Sequence, residues 1–177
     1  MIFQPTPLPG VFLIEPEPHS DERGFFARTW CKQELAAQGL CADLAQCSIS
    51  FNRKRGTLRG MHYQIAPYGE FKFVRCTRGA LFDVAVDLRP ESPTYCQWFG
   101  VDLTADNHRT LYIPAGLAHG FQTLADDSEV YYQISTVFVP ATARGVRWND
   151  PAFAIVWPIR EGITLSARDA NYPDYRA

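Results

Sequence analysis

Three side chains able to do proton chemistry fall within the stretch Leu58 to Lys72, LRGMHYQIAPYGEFK: Arg59, His62 and Lys72. An imidazole takes up or releases a proton near neutral pH, an ammonium stabilises the oxyanion that proton removal creates, and a guanidinium grips a phosphate bidentately. The set suits abstraction of a proton beside a carbonyl on a phosphorylated substrate. It suits equally well a hydrogen-bonded core histidine between solvated cations, so the surrounding elements have to decide.

Two further segments carry candidates. In IPAGLAHGF, Ile113 to Phe121, Pro114 and Gly116 mark a turn and His119 enters the next strand; a single histidine after a turn is commonly structural. Near the C-terminus, WNDP (Trp148 to Pro151) precedes LSARDA (Leu165 to Ala170), where Arg168 stands beside Asp169. An aspartate against an imidazole fixes its tautomer and raises its basicity, but the spacing does not say that Asp169 reaches His62.

What must position these groups is a strand-rich chain. The 177 residues, 46% of them hydrophobic, suffice for one substantial core, and a single domain over 1–177 is expected. From Cys41 to Val139, short β-branched and aromatic runs alternate with Gly, Pro, Asn or Asp, which predicts an antiparallel all-β barrel or sandwich. The clearest strand is Leu81 to Leu88, with Phe82, Val84, Val86 and Leu88 on one face and Asp83 and Asp87 on the other. Asp83 reads as an exposed or structural carboxylate in preference to a lumen group. A peripheral helix is expected over about Trp30 to Gln38, stopped at Gly39.

Alternation also sorts the chemical residues. Lys72 shares the face of Val74, and a strand over Glu129 to Phe138 would place Tyr132 and Phe138 together, so one cavity can receive all three. Arg59 and His62 fall on opposite faces of a regular strand. If both serve one site the strand is bulged, and Gly60 between them permits it.

Composition removes several classes. A net charge of -2 and a pI near 6.1, with no basic run longer than Arg53-Lys54-Arg55, argue against a nucleic-acid partner. Neither a secretion signal nor eighteen consecutive apolar residues is found, so a cytoplasmic protein without a membrane partner is expected. Five scattered cysteines without CxxC predict reduced thiols and no cysteine metal site.

Taken together, DERGFF, LRGMHYQ, KFVRCTRGALFDVAVDLRPESPTY, LYIPAGLAHGFQTL, the Tyr132 segment, WNDP and LSARDA resemble the successive motifs of the dTDP-4-dehydrorhamnose 3,5-epimerase family, in order, over about Asp21 to Asp169. The resemblance implies a cupin-type jelly-roll β-barrel with short peripheral helices, a homodimer, no metal or other cofactor, and epimerisation of a nucleotide-linked 4-keto-6-deoxyhexose at C3, C5 or both. It casts His62 as general base, Asp169 as its partner, Lys72 near the C4 oxygen and Tyr132 as the acid on the opposite face. Arg23, Phe26, Gln46, Ser48, Arg59, His119, Phe138 and Arg168 match substrate-binding positions. The chain departs from the family pattern at Arg28, where a glutamate is usual, at Phe138 for tyrosine, at Gln133 for lysine and at Ala143 for glutamate. The departures leave open which nucleotide is bound, dTDP or CDP, and whether one carbon is inverted or two.

Two other classes fit the same residues less well. A metal-dependent cupin calls for clustered ligands, commonly two histidines one residue apart, and no HxH is present. A non-catalytic sugar-nucleotide-binding barrel needs no base and acid together, whereas His62, Lys72, Tyr132 and Asp169 are all present.

Overall fold

The structure is a computed structural model and describes residues 1–176. In chain order the strands are β1 (Ile2–Pro5), β2 (Phe12–Glu15), β3 (His19–Asp21), β4 (Gly24–Phe26), β5 (Gln46–Asn52), β6 (Leu58–Gln64) and β7 (Lys72–Arg78). They continue with β8 (Ala80–Asp87), β9 (Trp98–Thr104), β10 (Thr110–Ile113), β11 (Leu117–Thr123), β12 (Ser128–Ile134) and β13 (Ala143–Gly145). Two short helices, α1 (Lys32–Ala37) and α2 (Ala167–Ala170), lie outside the sheets. No helix among the described residues is long and apolar enough to cross a membrane.

A six-stranded antiparallel sheet, ordered β1-β2-β10-β7-β12-β5, faces a five-stranded one, ordered β13-β6-β11-β8-β9. Three apolar clusters follow from strand alternation. Val74, Leu81, Ala85, Leu103, Leu111, Phe121 and Val130 interdigitate between the sheets. Val84, Val86 and Met61, on the outer face of the second sheet, lie under Val146, Phe153, Ile155 and Trp157 from the C-terminal region. Phe71, Phe73 and Tyr112, on the outer face of the first, pack on Leu35 of α1. Each such large apolar side chain removed from water contributes about 1.5–3 kcal/mol.

This covering of both outer faces explains one departure from expectation. Asp83 lies at 0% exposure on the lumen side of β8, because the face carrying Val84 and Val86 is itself covered by the C-terminal region. Two element ends also shift. The helix is shorter than Trp30 to Gln38, running Lys32–Ala37 with Gly39 at φ +71 beyond it. β12 ends at Ile134, four residues before Phe138, which sits in the following loop.

Candidate active site

The lumen is apolar at one end and polar at the other, and the polar end is built by β6. Opposite β11, His119 pairs with His62 but Phe121 pairs with Arg59, so three steps of β6 face two of β11. The extra residue is a bulge, and it turns Arg59 and His62 toward a common region despite their odd spacing. Gly60 makes it possible: its φ is +135, and a Cβ there would stand 2.5 Å from Gly120 Cα.

Asp169 is carried in by α2. Ser166 caps that helix, its hydroxyl accepting from the Asp169 N–H at 3.0 Å. The preceding segment is stitched to the base of β6, where Leu58 N–H donates to Thr164 O at 2.9 Å. His62 Nε2 and Asp169 Oδ1 are thereby 2.7 Å apart, and the Gly60 N–H reaches the other carboxylate oxygen at 3.4 Å. Burial raises the Asp169 carboxyl, but the hydrogen bond and charge of His62, with Gly60 and Ser166, more than offset it and hold the group below its ordinary value.

Across the lumen, Tyr132 is directly opposed to Ser48 on one side and Val74 on the other. Opposed residues share a face, and Lys72 lies two residues from Val74 on that same face. The imidazole of His62 thus stands on one sheet, and the phenol of Tyr132 and the ammonium of Lys72 on the other. His62, Lys72, His119, Tyr132, Phe138 and Arg168 line one cavity of about 320 Å³. An adjoining cavity of about 360 Å³ shares His62 and Arg168 and adds Arg59, Ser166 and Asp169.

Each of these side chains is held by specific neighbours. Burial, reinforced by the Asp83 charge and partly opposed by Arg59, raises the Tyr132 phenol above its ordinary value, so it is a donor at neutral pH. Lys72 Nζ donates to His62 O at 3.2 Å and pairs with Glu70 Oε1 at 3.0 Å. Glu70 in turn accepts from Gln64 Nε2 at 2.8 Å. His119 Nε2 meets Asp83 Oδ1 at 2.8 Å, and its ring lies edge-on to Tyr132 with centroids 6.0 Å apart. Among the described residues, no group of three His, Cys, Asp or Glu is arranged to hold a metal ion.

The expected binding residues divide into three sets. Arg59, His119, Phe138 and Arg168 line the two cavities, with Arg59 Nε donating to Asn52 Oδ1 at 2.7 Å. Gln46 and Ser48 flank them on β5; Gln46 Oε1 accepts from the Phe138 N–H at 3.1 Å, which anchors the loop end. Arg23 and Phe26 are elsewhere within this chain, on the hairpin β3–β4, with Arg23 paired to Asp21 at 2.6 Å and Phe26 74% exposed. Of the departures from the family pattern, Phe138 and Ala143 line the first cavity, Arg28 pairs with Glu34 at 2.6 Å, and Gln133 points to the outer face of β12. Sequence reasoning missed Glu70, although its spacing of two from Lys72 was a usable signal. It also missed Tyr63, Arg144 and Tyr172, for which only the folded chain supplies a reason.

A two-sheet barrel with a histidine-aspartate pair facing a phenol and an ammonium, bordered by arginines, is a cupin-type jelly roll equipped for acid-base chemistry on an anionic substrate. Comparison with known proteins narrows this. The family described as dTDP-4-dehydrorhamnose 3,5-epimerase matches residues 5–177. The dTDP-4-dehydrorhamnose 3,5-epimerase of Sinorhizobium fredii is 41% identical, over 98% of this chain and 89% of its own length. The dTDP-4-dehydrorhamnose 3-epimerase of Streptomyces niveus is also 41% identical, over 97% of this chain and 82% of its own. A crystal structure of the Bacillus anthracis 3,5-epimerase with TDP and PPi bound superposes with a TM-score of 0.93 at 38% identity, covering 98% of this chain and 99% of that one. The chain belongs to the dTDP-4-dehydrorhamnose 3,5-epimerase family.

Proposed function

We propose that this chain epimerises a nucleotide-linked 4-keto-6-deoxyhexose at C3 and C5, His62 removing a proton from one face of the sugar and Tyr132 returning one to the other. The observation that carries the reading is the placement of His62, backed by Asp169, and of Tyr132 on opposite walls of one cavity. The C4 ketone acidifies the hydrogens on both neighbouring carbons, and inversion requires loss from one face and gain on the other. Lys72 holds the enolate oxygen, a role whose removal typically costs about 2.7–4 kcal/mol. Arg59 and Arg168 receive the diphosphate, with Gln46 and Ser48 toward the nucleotide and Phe138 stacking on the base.

Arg23 and Phe26 complete the nucleotide site from the second copy of a homodimer. The exposed hairpin β3–β4, with Phe25 53% and Phe26 74% exposed, supports this placement. The protein works as one cytoplasmic domain spanning 1–177, with no nucleic-acid or membrane partner. A monodisperse monomer at working concentration would remove the shared site.

A second reading, inversion at one carbon alone, rests on the relatives: a 3-epimerase and a 3,5-epimerase are equally identical to this chain. Incubation with dTDP- and CDP-linked 4-keto-6-deoxyglucose in deuterated water distinguishes the two. Label at both carbons is expected, and label at one establishes the restricted enzyme. Tyr132→Phe should keep deuterium wash-in while inversion slows, and equal loss of both would contradict the donor role.

A further inference from the structure

Arg168 and His62 are shared by both cavities, and a residue assigned to neither touches both of them. Tyr172 lies just past the C-terminal end of α2, and its Oη accepts from Arg168 Nε at 2.8 Å. The guanidinium carbon is 5.8 Å from the centroid of the phenol ring. The same ring stands edge-on to His62, with centroids 6.2 Å apart.

The seat of Tyr172 is specific. Gly145 is paired with His62 in the β13–β6 ladder, and a Cβ at that position would fall 2.2 Å from Tyr172 Cζ and 2.6 Å from its Oη. The backbone there is outside the left-handed region, so the phenol, not the local conformation, is what a side chain would violate. The segment carrying Tyr172 is pinned on its far side. Tyr175 N–H donates to Asp150 Oδ2 at 2.6 Å, Arg147 pairs with Asp174 at 2.5 Å, and Tyr175 Oη meets Tyr95 Oη at 2.9 Å.

We infer that Tyr172 is a positioning residue: it holds Arg168 by its Nε edge so that both terminal nitrogens point to the diphosphate of a nucleotide-linked sugar, and it braces the ring of His62. The inference rests on the reading of the site given above. An exposed arginine otherwise gives up rotamer freedom when it grips an anion; one already bonded through Nε has given up much of it beforehand. The remaining four N–H donors stay available for bidentate contact. Gly145 and Tyr172 are then one device, the glycine providing the space that the phenol fills.

The test uses dTDP and CDP as binding probes, measured calorimetrically, alongside deuterium wash-in kinetics and thermal unfolding. Tyr172→Phe keeps the ring and loses only the hydroxyl. It should raise the dissociation constant and KM about three- to tenfold, the range of one hydrogen bond, with kcat falling by less and the unfolding midpoint unchanged. In an Arg168→Met background the same change should have no effect on binding. Gly145→Ala, whose methyl group must displace the phenol, should weaken binding at least as much as Tyr172→Phe. Equal effects of Tyr172→Phe with and without Arg168, or unimpaired binding by Gly145→Ala, would overturn the inference while wild-type binding and exchange upheld the site. A wild-type chain that neither bound the nucleotides nor exchanged deuterium would overturn the site reading itself, and this inference with it.

Discussion

Two histidine-carboxylate pairs sit side by side in this barrel, on strands paired so that His62 is directly opposed to His119. Their separations are nearly equal, 2.7 Å for His62–Asp169 and 2.8 Å for His119–Asp83. Their surroundings are not. The His62 side chain is 42% exposed against an aspartate at 6%, whereas His119 and Asp83 are 5% and 0% exposed. The first pair has one sealed half and one open half, which is what a base needs if it is to exchange protons with a ligand. The second is closed on both sides and borders the cavity only through the edge of His119, with Asp83 Oδ2 lacking any hydrogen-bond partner. Two pairs of the same chemistry are thus presented differently to the cavity by the direction in which each opens.

The sharpest way to break the comparison is to remove each histidine's function in turn. His62→Asn should lower deuterium wash-in by about two to four orders of magnitude, the usual contribution of a positioned general base, with little change in unfolding midpoint. If instead His119→Asn abolished wash-in and His62→Asn did not, the open and closed pairs would have to exchange roles.

A smaller effect is expected on the closed pair, and it should fall on stability. Asp83→Ala leaves the buried His119 nitrogen without an acceptor, so chemical denaturation should show a loss of about 1–3 kcal/mol, and Asp83→Asn should recover part of it. An unaltered denaturation curve for Asp83→Ala would mean that the pair is not held as closed as its burial implies.

The smallest effect separates the pairs by pH. Asp169 is held below its ordinary value, so in the folded state it stays ionised to lower pH than in the unfolded chain. Its contribution is complete above the unfolded value of about 3.9 and is lost as pH falls through the folded value. Unfolding measured from neutral pH downward should therefore steepen in the acid range for wild type and be shallower there for Asp169→Asn. Parallel acid limbs would show that the carboxylate gains nothing from His62.

Much of the candidate site was legible because alternation is a local rule. The placement of Lys72 and Val74 on one face, and the need for a bulge at Gly60, both follow from a period of two and both hold in the fold. For Asp83 the structural alternative stands, but the lumen side and full burial were missed because the rule sorts faces without saying what covers them. β8 is buried on its inner face by the facing sheet and on its outer face by the C-terminal region, which lies far away in sequence. Phe138 reached the cavity, but through a loop anchored by Gln46 and not through the strand that the pattern extended too far.

What the sequence determined by itself was the set of local choices: strand runs and their faces, the glycine that permits a bulge, and an order of motifs specific enough to identify a family. Only the tertiary structure decided which faces meet. His62 and Asp169 are separated by 107 positions, and Tyr172 is fitted against Gly145 on a different element, β13. Contacts of that kind depend on how two sheets and a C-terminal segment close around a common volume, and no local period carries that information.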